Sequence, residues 1–420
     1  MGTKEDDLRK AVEVLLDIPD IEVKEVVERR EGSYLVTAVS TKEGTECHKC
    51  GKWITKPYGH GEWITLRHLP LFGKDVYIRL RLPKYQCTDC DGNPTTTQRV
   101  SWFDSKRSYT KAFEKHILLA CVNSTLADVS IKERVGYETI LGMIDREIAK
   151  EVDWKEIRKL DVLGIDEISL KKGHQDFVAI VTGRLDGEMT ILGVLKDRTK
   201  AIVKEFFLSI PKRLRVSIQY VCSDMYDGFV NAAKEVFGKR VHIVADRFHV
   251  AKLYREGFES LRKKERRRLK KELSEKAYKE LKGALWILRK KEENLTEEDK
   301  KVLDKLFAYS PPLKKAYLFR DDLTAIFDEK MSKPQAKRRL NGWMARVRRS
   351  GIRCFDDFMK TLEGRKNEIA NYFGGRHTSG FVEGLNNKIK VIKLRCYGIF
   401  NTEHLFQRIY LDLHGYSLYL

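Results

Sequence analysis

The chain has 420 residues, of which 81 are lysine or arginine and 61 are aspartate or glutamate, so its formal net charge at pH 7 is +20. This positive charge indicates a polyanionic partner, nucleic acid before membrane, although a merely solubilising surface would give the same composition. No apolar stretch approaches the roughly 20 residues needed to span a bilayer, and the first residues lack the apolar core of a signal peptide. We therefore expect a cytoplasmic protein with no membrane partner.

Four of the eight cysteines form two closely spaced pairs, Cys47 with Cys50 and Cys87 with Cys90. A spacing of two residues lets one tight turn aim both thiolates at a single tetrahedral ion. Aromatic and β-branched residues alternate between the two pairs, as in the strands of a zinc ribbon. This pattern predicts a structural Zn²⁺ held by four thiolates and closed to catalysis, with chance pairing of structural cysteines as the alternative.

The segment between the cysteine pairs also contains histidines and aromatic residues. We expect His48, His60 and His68 to be ordinary surface or turn residues, because four thiolates already complete a zinc site. Trp53, Tyr58, Trp63 and Arg67 could face a nucleic acid, as could His68. Packing on the small ribbon is the interpretation that we favour for these side chains.

Apolar residues recur at helical spacing after the ribbon. Phe113, Ile117 and Cys121 mark a first helix, a short second helix leads to a turn at Gly136, and residues 137–147 form a third. This is the outline of a helix-turn-helix, whose recognition helix would be residues 137–147, with its first turn at base edges. A generic three-helix packing unit fits the same pattern.

The next part predicts three strands joined by turns, a helix stopped by Pro211, and a fourth strand that ends at Asp224. A helix and a fifth strand ending at Asp246 follow. Three antiparallel strands followed by alternating helices and strands is the order of a ribonuclease H-like fold. In that fold, carboxylates from the first and fourth strands, here Asp166 and Asp224, lie side by side at the centre of the sheet.

Four carboxylates, Asp166, Asp224, Asp246 and Glu383, lie at predicted element boundaries or on a basic helical segment. Magnesium and manganese ions take oxygen ligands, and two such ions about 4 Å apart can activate an attacking oxygen and stabilise a leaving one. Clustered carboxylates repel one another without cations. Any one aspartate at a strand end could simply cap the next helix, but the four together predict a phosphodiester-cleaving metal site.

Over nearly its whole length the chain resembles the DDE transposases of the ISL-three family of prokaryotic insertion sequences. The resemblance implies that Asp166 and Asp224 are the first two catalytic aspartates and that Glu383 is the closing glutamate, together holding Mg²⁺ or Mn²⁺. Upstream of Glu383, residues 378–380 depart slightly from the Asn-Gly form of the family. The matching segments are the cysteine ribbon, the helix-turn-helix, GIDEISLKKGH, VCSDMYDGFVNAAKEVF, VADRFHVAKL and GFVEGLNNKIKVIKLRCYG.

The long separation between Asp224 and Glu383 implies an inserted helical domain, whose basic runs we expect to contact phosphates in at least one place. Trp286 and Trp343 lie in this domain. Either could stack on an unpaired base, but core packing is the interpretation that we favour for both. Asp246 and His249 form an Asp-x-x-His arrangement that resembles one in several DDE groups with helical insertions. We expect His249 to orient an active-site group or contact the scissile phosphate, although a buried structural pair fits the same spacing.

These interpretations give an α+β multidomain chain. It has an N-terminal region with a zinc ribbon (1–105), a helix-turn-helix (106–155), the first part of a ribonuclease H-like catalytic core (156–251), an α-helical insertion (252–375) and a closing helical part of the core (376–420).

The predicted function is that of a DNA transposase. It would bind the terminal inverted repeats of an insertion sequence and target DNA, and catalyse metal-dependent cleavage and strand transfer. Two ends must be brought together, which predicts a homodimer or larger assembly on DNA, in a prokaryotic cytoplasm and associated with the nucleoid. A nuclease without strand transfer and a domesticated, non-catalytic DNA-binding regulator are the alternatives.

Overall fold

The computed structural model describes residues 4–171, 175–185, 187–290, 294–376, 387–392, 394 and 401–420. The chain divides into two compact units, of which the first is Met1–Ile148 with Tyr410–Leu420 and the second is Ala149–Ile409. In the described parts of the chain, none of the helices combines the length and apolarity needed to cross a bilayer.

The first unit begins with a helix and a mixed sheet. Its elements are α1 (Lys4–Leu16), β1 (Ile21–Glu28), β2 (Tyr34–Ser40), β3 (Thr45–Glu46), β4 (Trp53–Ile54), β5 (Lys56–Leu71), β6 (Lys74–Gln86) and β7 (Thr95–Thr97). The sheet order is β1-β2-β6-β5 with β7 on β6, and the β2–β6 pairing is parallel while the others are antiparallel. Residues such as Leu66 and Ile78 are fully buried on its inner face, whereas alternate residues face outward.

Three short helices also belong to the first unit: α2 (Lys111–Cys121), α3 (Leu126–Glu133) and α4 (Tyr137–Glu147). The Thr110 and Thr125 hydroxyls cap α2 and α3 by accepting from backbone N–H groups three residues on. Arg134 ends α3 in the left-handed conformation, with φ of 51°. The bounds of α4 coincide with the third helix that the sequence predicts.

The second unit is built on a five-stranded sheet. Its strands and connecting helices are β8 (Val162–Lys171), β9 (Gln175–Leu185), β10 (Glu188–Leu195), α5 (Lys200–Ser209), α6 (Lys212–Arg215), β11 (Tyr220–Ser223), α7 (Asp227–Phe237) and β12 (His242–Ala245). The sheet order is β10-β9-β8-β11-β12, antiparallel among β8, β9 and β10 and parallel from β8 through β11 to β12. The predicted five strands and their order along the chain are therefore observed.

Helices follow β12 without interruption by further strands in the described residues. They are α8 (Arg247–Glu272), α9 (Glu275–Lys279), α10 (Ala284–Ile287), α11 (Glu297–Tyr309), α12 (Pro311–Asp328), α13 (Lys333–Ser350), α14 (Asp356–Gly364), α15 (Lys366–Gly375) and α16 (Thr402–Tyr419). Capping boxes at Thr296 and Ser332 start α11 and α13. Trp343 is fully buried at the centre of this helical part, and its indole N–H donates to the Phe319 carbonyl at 2.8 Å.

The helical part packs directly on one face of the sheet. One continuous apolar cluster joins Cys222 and Val244 of the sheet to residues of α8 and α11 through α15. The Asn371 amide of α15 donates to the Ile243 carbonyl at 2.7 Å, which satisfies an acceptor on the edge strand β12. These contacts fix the helices next to the carboxyl ends of β11 and β12.

Candidate functional site

Two backbone turns hold the paired cysteines of the first unit. In the first turn, Cys47 N–H donates to the Lys52 carbonyl at 2.8 Å and Gly51 N–H donates to the Cys47 carbonyl at 2.9 Å. Gly51 has φ of +73°, a conformation that glycine adopts without strain. The second turn repeats the pattern, with Cys87 N–H donating to the Pro94 carbonyl at 2.9 Å.

The four sulfur atoms gather at one point. All lie within 4.8 Å of one another, with 4.0 Å between the Sγ atoms of Cys47 and Cys90 and 3.8 Å between those of Cys50 and Cys87. A tetrahedral zinc with bonds of about 2.3 Å to sulfur requires sulfur separations of about 3.8 Å, so the geometry fits this ion. This is the one group of three or more metal-ligating side chains with such spacing among the described residues.

The protonation of these thiols also depends on their mutual contacts. Backbone N–H groups of Cys50 and Lys49 lower the pKa of Cys47 to about 6. In contrast, a hydrogen bond with the Cys50 thiol and, to a smaller extent, burial raise the pKa of Cys90 to about 12. Without a cation, ionisation of one thiol thus disfavours ionisation of the neighbouring thiols. A cation among them lets all four ionise, which is the coupling expected of a structural zinc site.

The aromatic and histidine residues near the ribbon divide into exposed and buried sets. Trp53, Tyr58 and Trp63 are about half exposed, with Lys42 over the Trp53 ring and Arg79 over the Trp63 ring, rather than packed as we expected. One histidine that was predicted at the surface, His68, is instead buried.

His68 is buried, so the expectation of a surface or turn histidine was wrong for this residue. Its Nδ1 is 2.9 Å from the Thr110 hydroxyl and its Nε2 is 2.9 Å from the Leu16 carbonyl. Arg67 donates to Asp75 at 3.0 Å and lies over the Phe113 ring. Both residues tie β5 to neighbouring elements instead of facing a ligand.

In the second unit, three carboxylates lie side by side across the sheet. Asp166 is within β8, and Asp224 and Asp246 directly follow β11 and β12. Three residues pair with one another immediately before them: Ile165, Ser223 and Ala245. The backbone N–H of Asp246 donates to the Ser223 carbonyl at 2.9 Å, which extends the pairing by one residue. The parallel register therefore brings together three of the four carboxylates that the sequence singled out.

Asp224 is partly buried between other acidic groups. Burial and, to a smaller extent, the negative charges of Asp166 and Glu167 raise its pKa to about 6, although the Tyr226 backbone N–H, 3.1 Å away, and His249 oppose the rise. Carboxylates held this close favour a bound cation. The donor set suits a hard cation such as Mg²⁺ or Mn²⁺, although Asp166, Asp224 and Asp246 do not by themselves form a compact three-ligand cluster.

Asp246 has two further contacts. Its carboxylate caps α8 by accepting from the Phe248 backbone N–H at 2.9 Å, and His249 Nδ1 lies 3.3 Å from Asp246 Oδ2 at an angle outside hydrogen-bond geometry. The negative charges of Asp246, Asp166 and Asp224 raise the pKa of His249 against its partial burial. His249 therefore lies within the electrostatic field of the three carboxylates, as its predicted supporting role requires.

Glu383 lies outside the described residues, so the structure gives no position for it. Two residues that the sequence reading did not single out lie beside Asp166 and Asp224. Glu167 accepts a charge-assisted hydrogen bond from Arg198, whose guanidinium also lies 4.3 Å from the centre of the Phe177 ring and 5.2 Å from that of Tyr226. The sequence signal that could have indicated Glu167 and Arg198 was their position: Glu167 directly follows Asp166, and Arg198 directly precedes the N-cap of α5.

The exposed surface of α4 carries little positive charge. Its first turn presents Tyr137 and Glu138, and Gly136 at the N-cap offers no side-chain cap. Phosphate contacts at this end would rely on the backbone N–H groups.

The basic runs of the helical part are partly neutralised by ion pairs. Arg262 is buried against Glu259, and Arg268 pairs with Glu265, whereas many neighbouring cations of α8 are exposed. Trp343 packs in the core as we expected. Trp286 does not: 66% of its surface is exposed, with Arg289 over its ring at 5.1 Å.

Comparisons with known proteins match both units. A family model of the ISL3 type, described as a transposase, covers residues 163–409, and a model described as the zinc finger of the transposases IS204/IS1001/IS1096/IS1165 covers residues 43–90. The chain is 26% identical over 349 residues to the transposase for insertion sequence element IS1001 of Bordetella parapertussis, covering 82% of this chain and 83% of the relative. It is 23% identical over 426 residues to the transposase for insertion sequence element IS1557 of Mycobacterium tuberculosis, covering 95% and 93%.

Proposed function

Because the chain belongs to the ISL3 family of transposases, we propose that it binds the terminal inverted repeats of an insertion sequence and catalyses metal-dependent DNA cleavage and strand transfer. In this proposal Asp166, Asp224 and Glu383 hold the catalytic Mg²⁺ or Mn²⁺. The second unit is a ribonuclease H-like core into which the helices from α8 to α15 are inserted.

The observation that carries the proposal is the register of β8, β11 and β12. Neighbouring strands present Asp166 and Asp224 at the same level, on a sheet whose strand order, β10-β9-β8-β11-β12, is that of a ribonuclease H-like fold. The pKa of Asp224 is raised beside Asp166. In such an environment a divalent cation can replace the proton on the carboxyl group. Family membership extends the set to Glu383.

Two successive reactions at one site would account for transposition. In the first, water attacks a phosphodiester at the end of the element, leaving a 3′-hydroxyl and a 5′-phosphate. In the second, that 3′-hydroxyl attacks a target phosphodiester, forming the new joint and releasing a target 3′-hydroxyl. The bound metal ions would supply Lewis-acid stabilisation of the attacking and leaving oxygens.

The protein groups around the metal site would position the reactants. Asp246 fixes the first turn of α8, so that the partly exposed His249 faces the carboxylates and, when protonated, can neutralise charge on the scissile phosphate. Arg198 pairs with Glu167, which balances its negative charge, and also packs on Tyr226. The phosphodiester would then meet a site whose negative charge is concentrated on the metal ligands.

The first unit would select the DNA. The zinc ribbon stabilises the turns before β4 and after β6. The three helices α2, α3 and α4 form a helix-turn-helix with α4 as its recognition helix. A homodimer or larger assembly would hold two element ends and a target duplex, since both ends take part in one reaction.

The decisive experiment compares carboxamide variants on a labelled duplex that carries the element's end. We expect Asp166→Asn and Glu383→Gln to lower the cleavage rate by at least about 100-fold, since charge stabilisation by a bound metal is worth several kcal/mol. Asp304→Asn, an exposed position on α11, is the matched control and should cleave normally.

Product analysis separates the proposal from its alternatives. A covalent joint between the labelled end and a target plasmid supports strand transfer, whereas cut ends without joints indicate a nuclease. Specific binding without any metal-dependent cleavage indicates a regulator. Normal cleavage by both Asp166→Asn and Glu383→Gln would overturn the site assignment.

A further inference from the structure

Two adjoining cavities in the second unit form a trough along α8. One has a volume of about 530 Å³ and the other about 400 Å³, and they share Arg262, Leu285 and Leu288 in their walls. Each lies within the range of about 300–1,000 Å³ that is usual for ligand sites. The trough is separate from the carboxylates, and nothing in the transposase assignment accounts for it.

One face of α8 forms the floor of this trough. The lining residues of α8 recur at helical spacing: Phe248, Lys252, Arg255, Glu259, Arg262 and Arg266. From Phe248 to Arg266 this stripe is roughly 27 Å long at 1.5 Å per residue. It starts one residue before His249, so the Phe248 end of the trough adjoins along α8 the histidine that contacts Asp246.

The charge of the trough is strongly positive. Nine lysines and arginines line the two cavities, against three acidic residues. Several of the cations are neutralised, as Arg262 is by Glu259 and Arg320 by Asp321. Arg255 and Arg289 form no ion pair with a described residue, so both are available for an external anion.

Exposed aromatic side chains line both cavities. Phe248 is 42% exposed at the end next to His249, and Trp286 is 66% exposed in the wall of the second cavity. Their exposure is unexpected on hydrophobic grounds, because burial of an aromatic ring is favourable. Basic grooves with aromatic platforms are the usual means of binding an unpaired nucleic-acid strand, since bases stack on rings while cations track the backbone.

We propose that this trough binds unpaired DNA next to the cleavage site, with a base stacked on Phe248 and backbone phosphates on Arg255 and Arg289. This inference rests on the proposed function, because the DNA that would be bound is the end of the insertion sequence or the DNA that flanks it. The bound strand would leave the carboxylates along α8 toward Trp286. Duplex DNA does not suit this trough, because its bases are stacked on one another and present no free face to Phe248.

The test measures binding of a labelled single-stranded oligonucleotide and of its duplex by fluorescence anisotropy, without added divalent cation so that no cleavage occurs. We expect Phe248→Leu, which keeps apolar volume but removes the ring, to weaken single-strand binding by roughly 10-fold. Arg255→Ala should reduce the slope of log affinity against log salt by about 0.7, the loss of one phosphate contact to a single strand. Arg289→Ala should act likewise.

Arg267→Ala is the matched control, because Arg267 is an exposed arginine of α8 that lines neither cavity. The proposal is overturned if Arg255→Ala and Arg289→Ala weaken single-strand binding no more than this control does. It is equally overturned if the three trough variants weaken duplex and single-strand binding alike. The readout does not require catalysis, so a failure of cleavage by the unmodified protein would count against the proposed function and not against the trough.

Discussion

Gly257 of α8 provides a sensitive test of how the inserted helices are fixed beside the carboxylates. A Cβ atom at this position would lie 2.1 Å from the Cys354 carbonyl oxygen, so Gly257→Ala requires the two backbone segments to separate by about 1 Å. Overpacking of this kind costs about 1–3 kcal/mol, against which alanine recovers about 1 kcal/mol of helix propensity. We therefore expect a net destabilisation of up to about 2 kcal/mol.

Gly342 of α13 is the matched control, because a Cβ there meets nothing within 4 Å. Gly342→Ala should stabilise the protein by about 0.5–1 kcal/mol through helix propensity alone. The two variants then differ by about 0.5–3 kcal/mol, or about 1–12 °C in the melting temperature of a unit of this size. Calorimetry of the zinc-saturated proteins measures this difference. Equal melting temperatures for the two variants would refute the close approach of α8 to Cys354.

Two further predictions concern the first unit. Cys87→Ser should lower the zinc content from one ion per chain and lower the melting temperature of the first unit, since zinc binding contributes about 10–16 kcal/mol in zinc-finger peptides. Cys354→Ser is the control. An unchanged zinc content in Cys87→Ser would contradict the four-thiolate site. Burial lowers the pKa of His68 below its ordinary value of 6.5. Below about pH 6.5 the unfolded chain therefore takes up a proton that the folded state resists, so the fold should lose stability as the pH falls. In His68→Gln, the free energy of unfolding measured with urea should fall less between pH 7.5 and pH 5 than in the unmodified protein. An equal fall in both proteins would contradict this prediction.

The parts of the fold that the sequence predicted well have strong local signals. The five strands of the second unit follow apolar runs bounded by turn residues, and α4 has apolar positions at helical spacing after Gly136. The start of α11 at Thr296 was predictable because a capping box is a purely local arrangement.

The parts that the sequence did not predict depend on pairings between distant residues. No local pattern indicates that β2 pairs in parallel with β6, and this sheet decides that His68 is buried. The two tryptophans of the insertion illustrate the same limit. Trp343 continues an apolar stripe with Leu340 and Val347 on a long helix, whereas Trp286 lies on a four-residue helix whose neighbours already fill the core.

The proposed catalytic site was predictable only as a set of candidates, because sequence does not give strand register. That register is what separates the roles of the three described aspartates. Asp246 has its carboxylate committed to the α8 backbone and to His249, so its negative charge is already partly balanced within the protein. Asp224 has a backbone N–H and the repulsion of two neighbouring acids, which leaves its ionised form in need of a cation.

The same electrostatics explains why the unpaired strand would enter beside α8. The carboxylates repel a phosphate backbone wherever metal does not neutralise them. The positive stripe that begins at Lys252 and Arg255 offers compensating charge within one to two helical turns of His249. A strand held there would approach the metal site from the positive side, so that Phe248 meets the last stacked base before the scissile phosphate.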